Sequence, residues 1–322
     1  MSFSQVGGHA NTIRSTEDGS LLMKPVTTLE HEFYLIIAQA RAMDTTGGLE
    51  GGGTGIEGGI VDTTDRHPVV NTPSQQYLVL SNLLYSFTKP NVLDLKLGTV
   101  FYDKRDLGCS EEKKARMIKA ARETTSGESG IRLTGFQVTV HRLAPLLTLK
   151  SYGKSLKKEQ LPEGIRRAFP VLVEPRTDLG LPAIVLLPIL RSIHTSVLHL
   201  HSILKEVEIR IVGGSLLVVW EGDEQRARDG VQWMEEKEAR IKERERTRSE
   251  TDEDGNDDEY MDSDDDEEDT KPSAPYTLCL IDFAHTRFVP GQGPDVGVLL
   301  GLVTFAKLVE GRIREVKEAV KQ

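Results

Sequence analysis

Apolar positions along the chain fall into two periods, and these set the first list of elements. Leu29 to Met43 repeats at helical spacing, with Phe33, Ile36, Ile37 and Ala40 on one side. Ile184 to Lys205 reads as a long amphipathic helix, and Val296 to Val320 as a closing one. Strand-like apolar runs occupy 77–102 (YLVL, then NVLDLKLGTVFY), Leu133 to Arg142, and the segment TLCLIDFAHT after Tyr276. Residues 5–25 read as two short strands punctuated by Gly7-Gly8 and Asp18-Gly19. Val207 to Glu221 reads as a β-hairpin turning at Gly213-Gly214. Residues 110–123 predict a helix, with Ser110 as N-cap and Glu111 and Glu112 in the first turn, where carboxylates oppose the helix dipole favourably. No internal repeat is present.

Three stretches break the pattern. Residues 47–59 (GGLEGGGTGIEGG) are a flexible insertion, because so many glycines cost too much backbone entropy to hold one structure. Residues 223–248 predict a highly charged, solvated helix. It runs into a tract at 250–269 with fourteen Asp or Glu and no Lys or Arg, a composition expected to be disordered. The formal charge of −10 therefore misleads: without that tract the rest of the chain carries about +4, compatible with an anionic substrate.

The length of 322 residues suits a two-lobed enzyme, and 38% hydrophobic content is low enough to expect unfolded segments. Cys109 and Cys279 are too few and too far apart for a disulfide framework, which implies a reducing compartment. No apolar stretch reads as long enough to span a membrane, and the start lacks the charged and apolar regions of a leader. The expectation is an intracellular, soluble monomer with no direct nucleic-acid partner.

One motif is a decoy. Gly53-Thr54-Gly55-Ile56-Glu57-Gly58 fits GxGxxG, but no strand leads into it and no helix leads out. No GxxxxGK[ST] loop exists. In Pro90-Asn91-Val92-Leu93-Asp94-Leu95-Lys96-Leu97-Gly98, an acid and a base two apart project from one face of an apolar strand. Burying both is costly unless they pair or work on a ligand, and the residues alone leave both readings open. Asp282 ends an apolar strand and precedes Phe283, a placement suited to holding Mg²⁺ against ATP phosphates, although strand-ending Asp also serves as a turn former. Lys24 ends a strand ahead of a helix offering Glu30 and Glu32. A lysine so paired positions nucleotide phosphates; an exposed strand-end lysine is the plainer alternative. Lys113, Arg116, Lys119 and Arg122 follow one another at i+3 and form a basic stripe, fit either for a multiply phosphorylated ligand or for solvent. His194, His199 and His201 lack companion ligands at metal spacing.

Together these residues resemble the inositol polyphosphate kinase family, within it the fungal multikinases. Its PxxxDxKxG signature is Pro90, Asp94, Lys96 and Gly98; its SLL motif is Gly214-Ser215-Leu216-Leu217 with Glu221 after it; its IDFAH motif is Ile281 to His285. Thr124-Thr125-Ser126, Arg132-Leu133-Thr134-Gly135 and Tyr152-Gly153-Lys154-Ser155-Leu156 look like family blocks in the expected order.

The resemblance implies an α+β, two-lobed, protein-kinase-like fold with an antiparallel N-lobe sheet and a larger C-lobe. The N-lobe would span 1–80, the C-lobe 81–322, with a disordered acidic insertion at 249–272. ATP would lie between the lobes, with Lys24 on its phosphates and the hinge backbone at Leu80 to Leu83, Ser81 and Leu83 included, on the base. Many relatives carry Glu where this chain has Ser81. Asp94 would contact the ribose or order the site, Lys96 the transferring phosphoryl or the substrate, and Asp282 the Mg²⁺. His285 and the basic stripe would hold inositol phosphates. The implied activity is phosphorylation of inositol trisphosphate and tetrakisphosphate. A pyrophosphate-forming hexakisphosphate kinase is the rival enzyme, and a transcription scaffold with transcription-factor partners, acting through the acidic tract in nucleus and cytoplasm, is the reading from another class.

Overall fold

The computed structural model describes residues 13–46, 69–72, 75–103, 109–139, 145–172, 179–251, 273–319 and 321. The glycine-rich insertion with its GxGxxG match, residues 252–272 of the acidic tract, and residues 5–12 lie outside them.

The first sheet is built from β1 (Arg14–Ser15), β2 (Leu21–Pro25), β3 (Val69–Thr72) and β4 (Gln75–Ser81) in the order β1-β2-β4-β3, all antiparallel. Between β2 and β3 runs α1 (Thr28–Thr46). The second sheet collects β5 (Pro90–Leu97), β6 (Ile131–Val138) and β7 (Leu146–Thr148) with two later strands. After β5 come α2 (Glu111–Glu123) and α3 (Ser126–Ser129); after β7 come α4 (Lys150–Ser155) and α5 (Leu161–Ala168). The short parallel pair β8 (Val171–Leu172) and β9 (Leu181–Pro182) leads into α6 (Ala183–Glu206). Then follow β10 (Ile209–Ile211), β11 (Ser215–Glu221), α7 (Glu224–Thr251), β12 (Tyr276–Ile281), β13 (Thr286–Phe288) and α8 (Val296–Ala319). The five-stranded order is β12-β11-β5-β6-β7.

One face of this sheet is apolar because two helices cover it, while the other carries Asp94 and Lys96. Leu93, Leu95 and Leu97 of β5 are buried in one core with α6 (Val185, Leu186, Ile189, Leu190, Ile193, Val197) and α8 (Val298, Leu302, Phe305, Val309). Phe169 stacks on Trp220 at 4.3 Å within this core. Gly153 of α4 can only be glycine: a Cβ there would sit 1.8 Å from the Leu133 carbonyl oxygen of β6.

Four expectations change. The hairpin at 207–221 does not form: β10 pairs with β13, while β11 lies between β5 and β12. Gly213, at φ 76°, carries the chain from one sheet to another, because long-range strands occupy both edges of β11. The strand after Tyr276 stops at Ile281, and Thr286 N donates to Phe283 O (3.0 Å) across the turn before β13. The strand expected over Leu133 to Arg142 runs from Ile131 to Val138. Finally, α6 is long and apolar enough to cross a membrane by length and composition, with a mean hydropathy of 1.5 in its most apolar window. Its packing against the sheet and α8 accounts for that character. α7 itself continues to Thr251, into the start of the acidic tract.

The chain from β4 to β5 is fixed by a buried carboxylate. Glu221, 1% exposed, accepts hydrogen bonds from the backbone N–H groups of Thr88 (2.8 Å), Lys89 (2.9 Å) and Asp223 (2.8 Å). At the other end of this connection Asn82 Nδ2 donates to Gly19 O at 2.7 Å. Glu221→Gln places an amide N–H₂ against these donors and should cost about 2–3 kcal/mol. Glu224→Gln, whose exposed carboxylate pairs with Arg228, should cost less than about 0.5 kcal/mol. Urea denaturation midpoints of both variants check the difference.

Candidate active site

Three strands and one helix bring the charged groups together. Lys24, near the end of β2, donates from Nζ to Glu30 Oε1 at 2.7 Å and to Asp282 Oδ1 at 3.1 Å. Glu30 lies in the first turn of α1 and is 1% exposed. Burial by itself would lower the Lys24 pKa, but Asp282 and Glu30 outweigh it and hold the ammonium above its ordinary value. Of the two acids the helix offers, Glu30 rather than Glu32 is the partner. Asp282 has φ 67°, the only positive φ at a described non-glycine residue. L-residues rarely adopt that conformation, and Asp is among the side chains that tolerate it.

On β5, Asp94 is 4% exposed. Ser215 of β11 hydrogen-bonds to its carboxylate, yet Oδ1 is buried without a hydrogen-bond partner. Burial is the main cause that pushes its pKa up to about 6; the Ser215 hydrogen bond opposes the rise, the Asp282 charge adds to it, and Lys96 and Lys150 oppose it. Lys96 Nζ donates to the Gly213 carbonyl, and no ion pair forms between Lys96 and Asp94 among the described contacts. The structural ion-pair reading of this segment is therefore set aside. Burial lowers the Lys96 pKa, against the raising influence of Asp282 and Asp94.

Two further cations belong to the group. Arg132 on β6 is the direct strand neighbour of Lys96; burial lowers its pKa against the opposing charge of Asp94. Lys150, the first residue of α4, acts electrostatically on both Asp94 and Lys96. The sequence reading did not assign either. Arg132 carried a usable signal, a charge within the apolar run IRLTGFQV, as Asp94 and Lys96 do in theirs. Lys150 carried none, since only the fold returns α4 to β6.

The other expected residues are placed as follows. Ser81 ends β4 opposite Leu21, and half-buried Leu83 follows in the connection to β5. His285 lies in the turn before β13; its carbonyl accepts from Val212 N at 3.3 Å and its Nδ1 is buried without a partner. Ser110 caps α2 by accepting from Lys113 N. Arg116, Lys119 and Arg122 are exposed and Lys113 is half-buried. Only the C-terminal end of this stripe touches the site: Arg132 Nη1 reaches Thr124 Oγ1 at 3.4 Å, just past the helix. At 1.5 Å per residue, Lys113 lies about 16 Å further along the axis. Among the described residues no group of three His, Cys, Asp or Glu side chains could hold a metal, the three histidines of α6 included.

Two carboxylates, one half-exposed and one buried, thus face Lys24, Lys96, Arg132 and Lys150. Such a set can neutralise phosphoryl oxygens from several sides, and Asp282 offers an anionic oxygen to a divalent cation.

The profile of the family described as "Inositol polyphosphate kinase" matches residues 77–310. Inositol polyphosphate multikinase of Saccharomyces cerevisiae is 29% identical, covering 93% of this chain and 94% of its own. Human inositol hexakisphosphate kinase 1 is 27% identical, covering 73% of this chain but 52% of its own. Among solved structures, the S. cerevisiae inositol phosphate multikinase in complex with ADP and Mn²⁺ superposes with a TM-score of 0.59 at 25% identity, covering 92% of this chain and all of that one.

The raised pKa of Asp94 has a sign that can be tested. Its proton is held more tightly in the folded chain than in the unfolded one. Its contribution to stability is therefore full below the unfolded value near 3.8 and lost as pH rises through about 6. The whole effect is on the order of 3 kcal/mol, of which about 1 kcal/mol falls between pH 5 and 8. Raising the pH over that range should cost wild type that much stability relative to Asp94→Asn, in paired denaturation curves. Parallel curves would exclude the raised pKa.

Proposed function

Because the chain belongs to the inositol polyphosphate kinase family, we propose that it transfers the γ-phosphate of ATP to hydroxyl groups of inositol trisphosphate and inositol tetrakisphosphate. The observation that carries this reading is the Lys24–Asp282 ion pair, which spans 258 residues and draws the N-terminal sheet over the Asp94–Lys96 strand. ATP lies between the two sheets, its phosphates toward Lys24 and its base toward the backbone of Ser81 and Leu83. Asp282 would hold the divalent metal, Mg²⁺ in this reading, which would supply neutralisation of phosphate charge.

The residues present fit that group. Asp282 keeps a carboxylate 39% exposed, and the unpartnered Oδ1 of Asp94 can accept from a hydroxyl of the ribose or the inositol ring. With a pKa near 6, Asp94 is ionised at pH 7 and suited to that acceptance. Phosphoryl transfer runs through a loose transition state with charge on the equatorial oxygens, so position and neutralisation matter more than a strong base. Lys96 neutralises the transferring group. Arg132 and Lys150, with His285 and the C-terminal end of the α2 stripe, hold the ring phosphates.

Incubation with radiolabelled ATP and each inositol phosphate tests the substrate. Labelled products from tris- and tetrakisphosphate are expected, and labelling of hexakisphosphate alone would overturn the reading. Asp282→Asn should lower turnover by about 10³-fold, the scale of losing a charge-stabilising contact in the transition state. Near-normal turnover in that variant would remove Asp282 from its metal role.

A second role is proposed for α7 and the acidic tract that follows: contact with basic segments of transcription factors, with the protein in nucleus and cytoplasm. The observation in its favour is that α7, beyond its first turns, is charged and largely exposed from Glu235 to Thr247. Deleting residues 250–270 should abolish capture of such a factor and leave phosphate transfer intact; unchanged capture would reduce the tract to a spacer.

A further inference from the structure

Behind the Lys24–Glu30–Asp282 group lies a cavity of about 330 Å³ that the proposed reaction does not use. Phe33, Tyr34 and Ile37 of α1 form one wall, Val207 at the end of α6 another, and Phe283 and Phe288 the side toward Asp282. The rings are in contact: Phe33 lies 4.9 Å from Phe283 and 5.8 Å from Phe288, and Tyr34 meets Phe283 edge-on at 5.7 Å. The volume falls within the range of ligand pockets, roughly 300–1,000 Å³.

The lining decides what fits. Among the described residues it contains no charged side chain, so nothing described there would pair with the phosphates of a nucleotide or an inositol phosphate. Among the described lining residues only Tyr34 carries a side-chain polar atom, whereas an ordered water needs two or more partners. An extended peptide would need a row of backbone partners, and this lining is made of aromatic and aliphatic side chains.

We propose that this cavity binds a small neutral aromatic molecule, and that its occupancy is transmitted to Asp282 through Phe283. The route is short. Phe283 follows Asp282 directly, and Asp282 already holds a sparsely populated backbone conformation. A ligand that fixes or displaces the Phe283 ring changes how firmly that conformation is kept. On the opposite wall, Phe33 lies one turn of α1 from Glu30, so the same ligand acts on both carboxylates that hold Lys24. The inference rests on the kinase reading for the role of Asp282, while its binding step is measured without turnover.

The probe is 2-naphthol, titrated by calorimetry into the full chain. Saturable one-to-one binding is expected, weakened at least tenfold in Val207→Phe and in Ile37→Phe, which fill the cavity from two sides. Melting curves confirm that each variant folds, and a crystal soaked with 2-naphthol should show the ring between Phe33 and Phe283. Mn²⁺ affinity in the presence of a non-hydrolysable ATP analogue, followed by electron paramagnetic resonance, should shift at least threefold when the cavity is full. Failure of wild type to bind, undiminished binding by both folded variants, displacement by the ATP analogue, or an unchanged Mn²⁺ affinity at saturation would each overturn the proposal. If phosphate transfer occurs without 2-naphthol binding, only this proposal falls. If binding and the Mn²⁺ shift occur without transfer to any inositol phosphate, the site stands and the kinase reading falls.

Discussion

One ammonium between two carboxylates holds the candidate site together. Lys24 comes from the first sheet, Glu30 from the helix packed beside it, and Asp282 from the turn that leaves the second sheet. The arrangement is a poor source of stability, since burying charges costs nearly what their attraction returns. Breaking it is another matter. Without Lys24, Glu30 would be left 1% exposed with no counter-charge, a situation worth about 3–5 kcal/mol. The group therefore fixes geometry: the N-terminal sheet can dock in one way that satisfies Glu30, and that way sets Lys24 above Asp282. The aromatic contacts of Phe33 with Phe283 and Phe288 close the same joint with apolar surface.

Strand register then sets the spacing of the chemistry. Ser215 on β11 lies opposite Lys96 on one side and Ile281 on the other. With neighbouring strands about 4.8 Å apart, the backbones of Lys96 and Ile281 stand roughly 10 Å from each other, and Asp282 begins where β12 ends. Side chains from the two outer strands can thus converge on one phosphoryl group above the central one. The central strand must offer little bulk there, and it does: Gly213 and Gly214 precede Ser215, the Gly213 carbonyl takes Lys96, and Ser215 takes Asp94. A one-residue slip of β11 would turn Ser215 to the other face, away from Asp94.

Much of this was legible in the sequence, and the exceptions share a cause. Helical periods located α2, α6 and α8 within a residue or two and α1 within three, because an apolar stripe is a local property. Charges inside apolar runs marked Asp94 and Lys96, because a buried charge is costly enough to demand a reason. Local turn chemistry failed at Gly213-Gly214. Two glycines report that the backbone turns sharply, not which strand it meets afterwards, and here the partners lie 56 to 66 residues later on β12 and more than 100 residues earlier on β5. Lys150 was invisible for the same reason, since its proximity to Asp94 exists only after α4 folds back on β6. The basic stripe of α2 was legible as a stripe. Its slant relative to the site, with only the Arg122 end near Arg132, is a tertiary fact.

Asp282 shows how function and backbone compete at one position. A glycine would hold φ 67° without strain, and a different turn would let an aspartate relax; the chain has neither. The left-handed conformation costs an L-residue about 1 kcal/mol or more, so it persists only where its surroundings over-determine it. Those surroundings are the ion pair to Lys24 on the side-chain end, the Phe283 ring clamped by Phe33 on the next residue, and the Thr286-to-Phe283 hydrogen bond that closes the turn. Each acts on a different atom of the same short segment. The carboxylate is consequently held at the end of β12 instead of along it, where it would face the Leu280 side of the sheet, and the strain is what turns a strand terminus into a site.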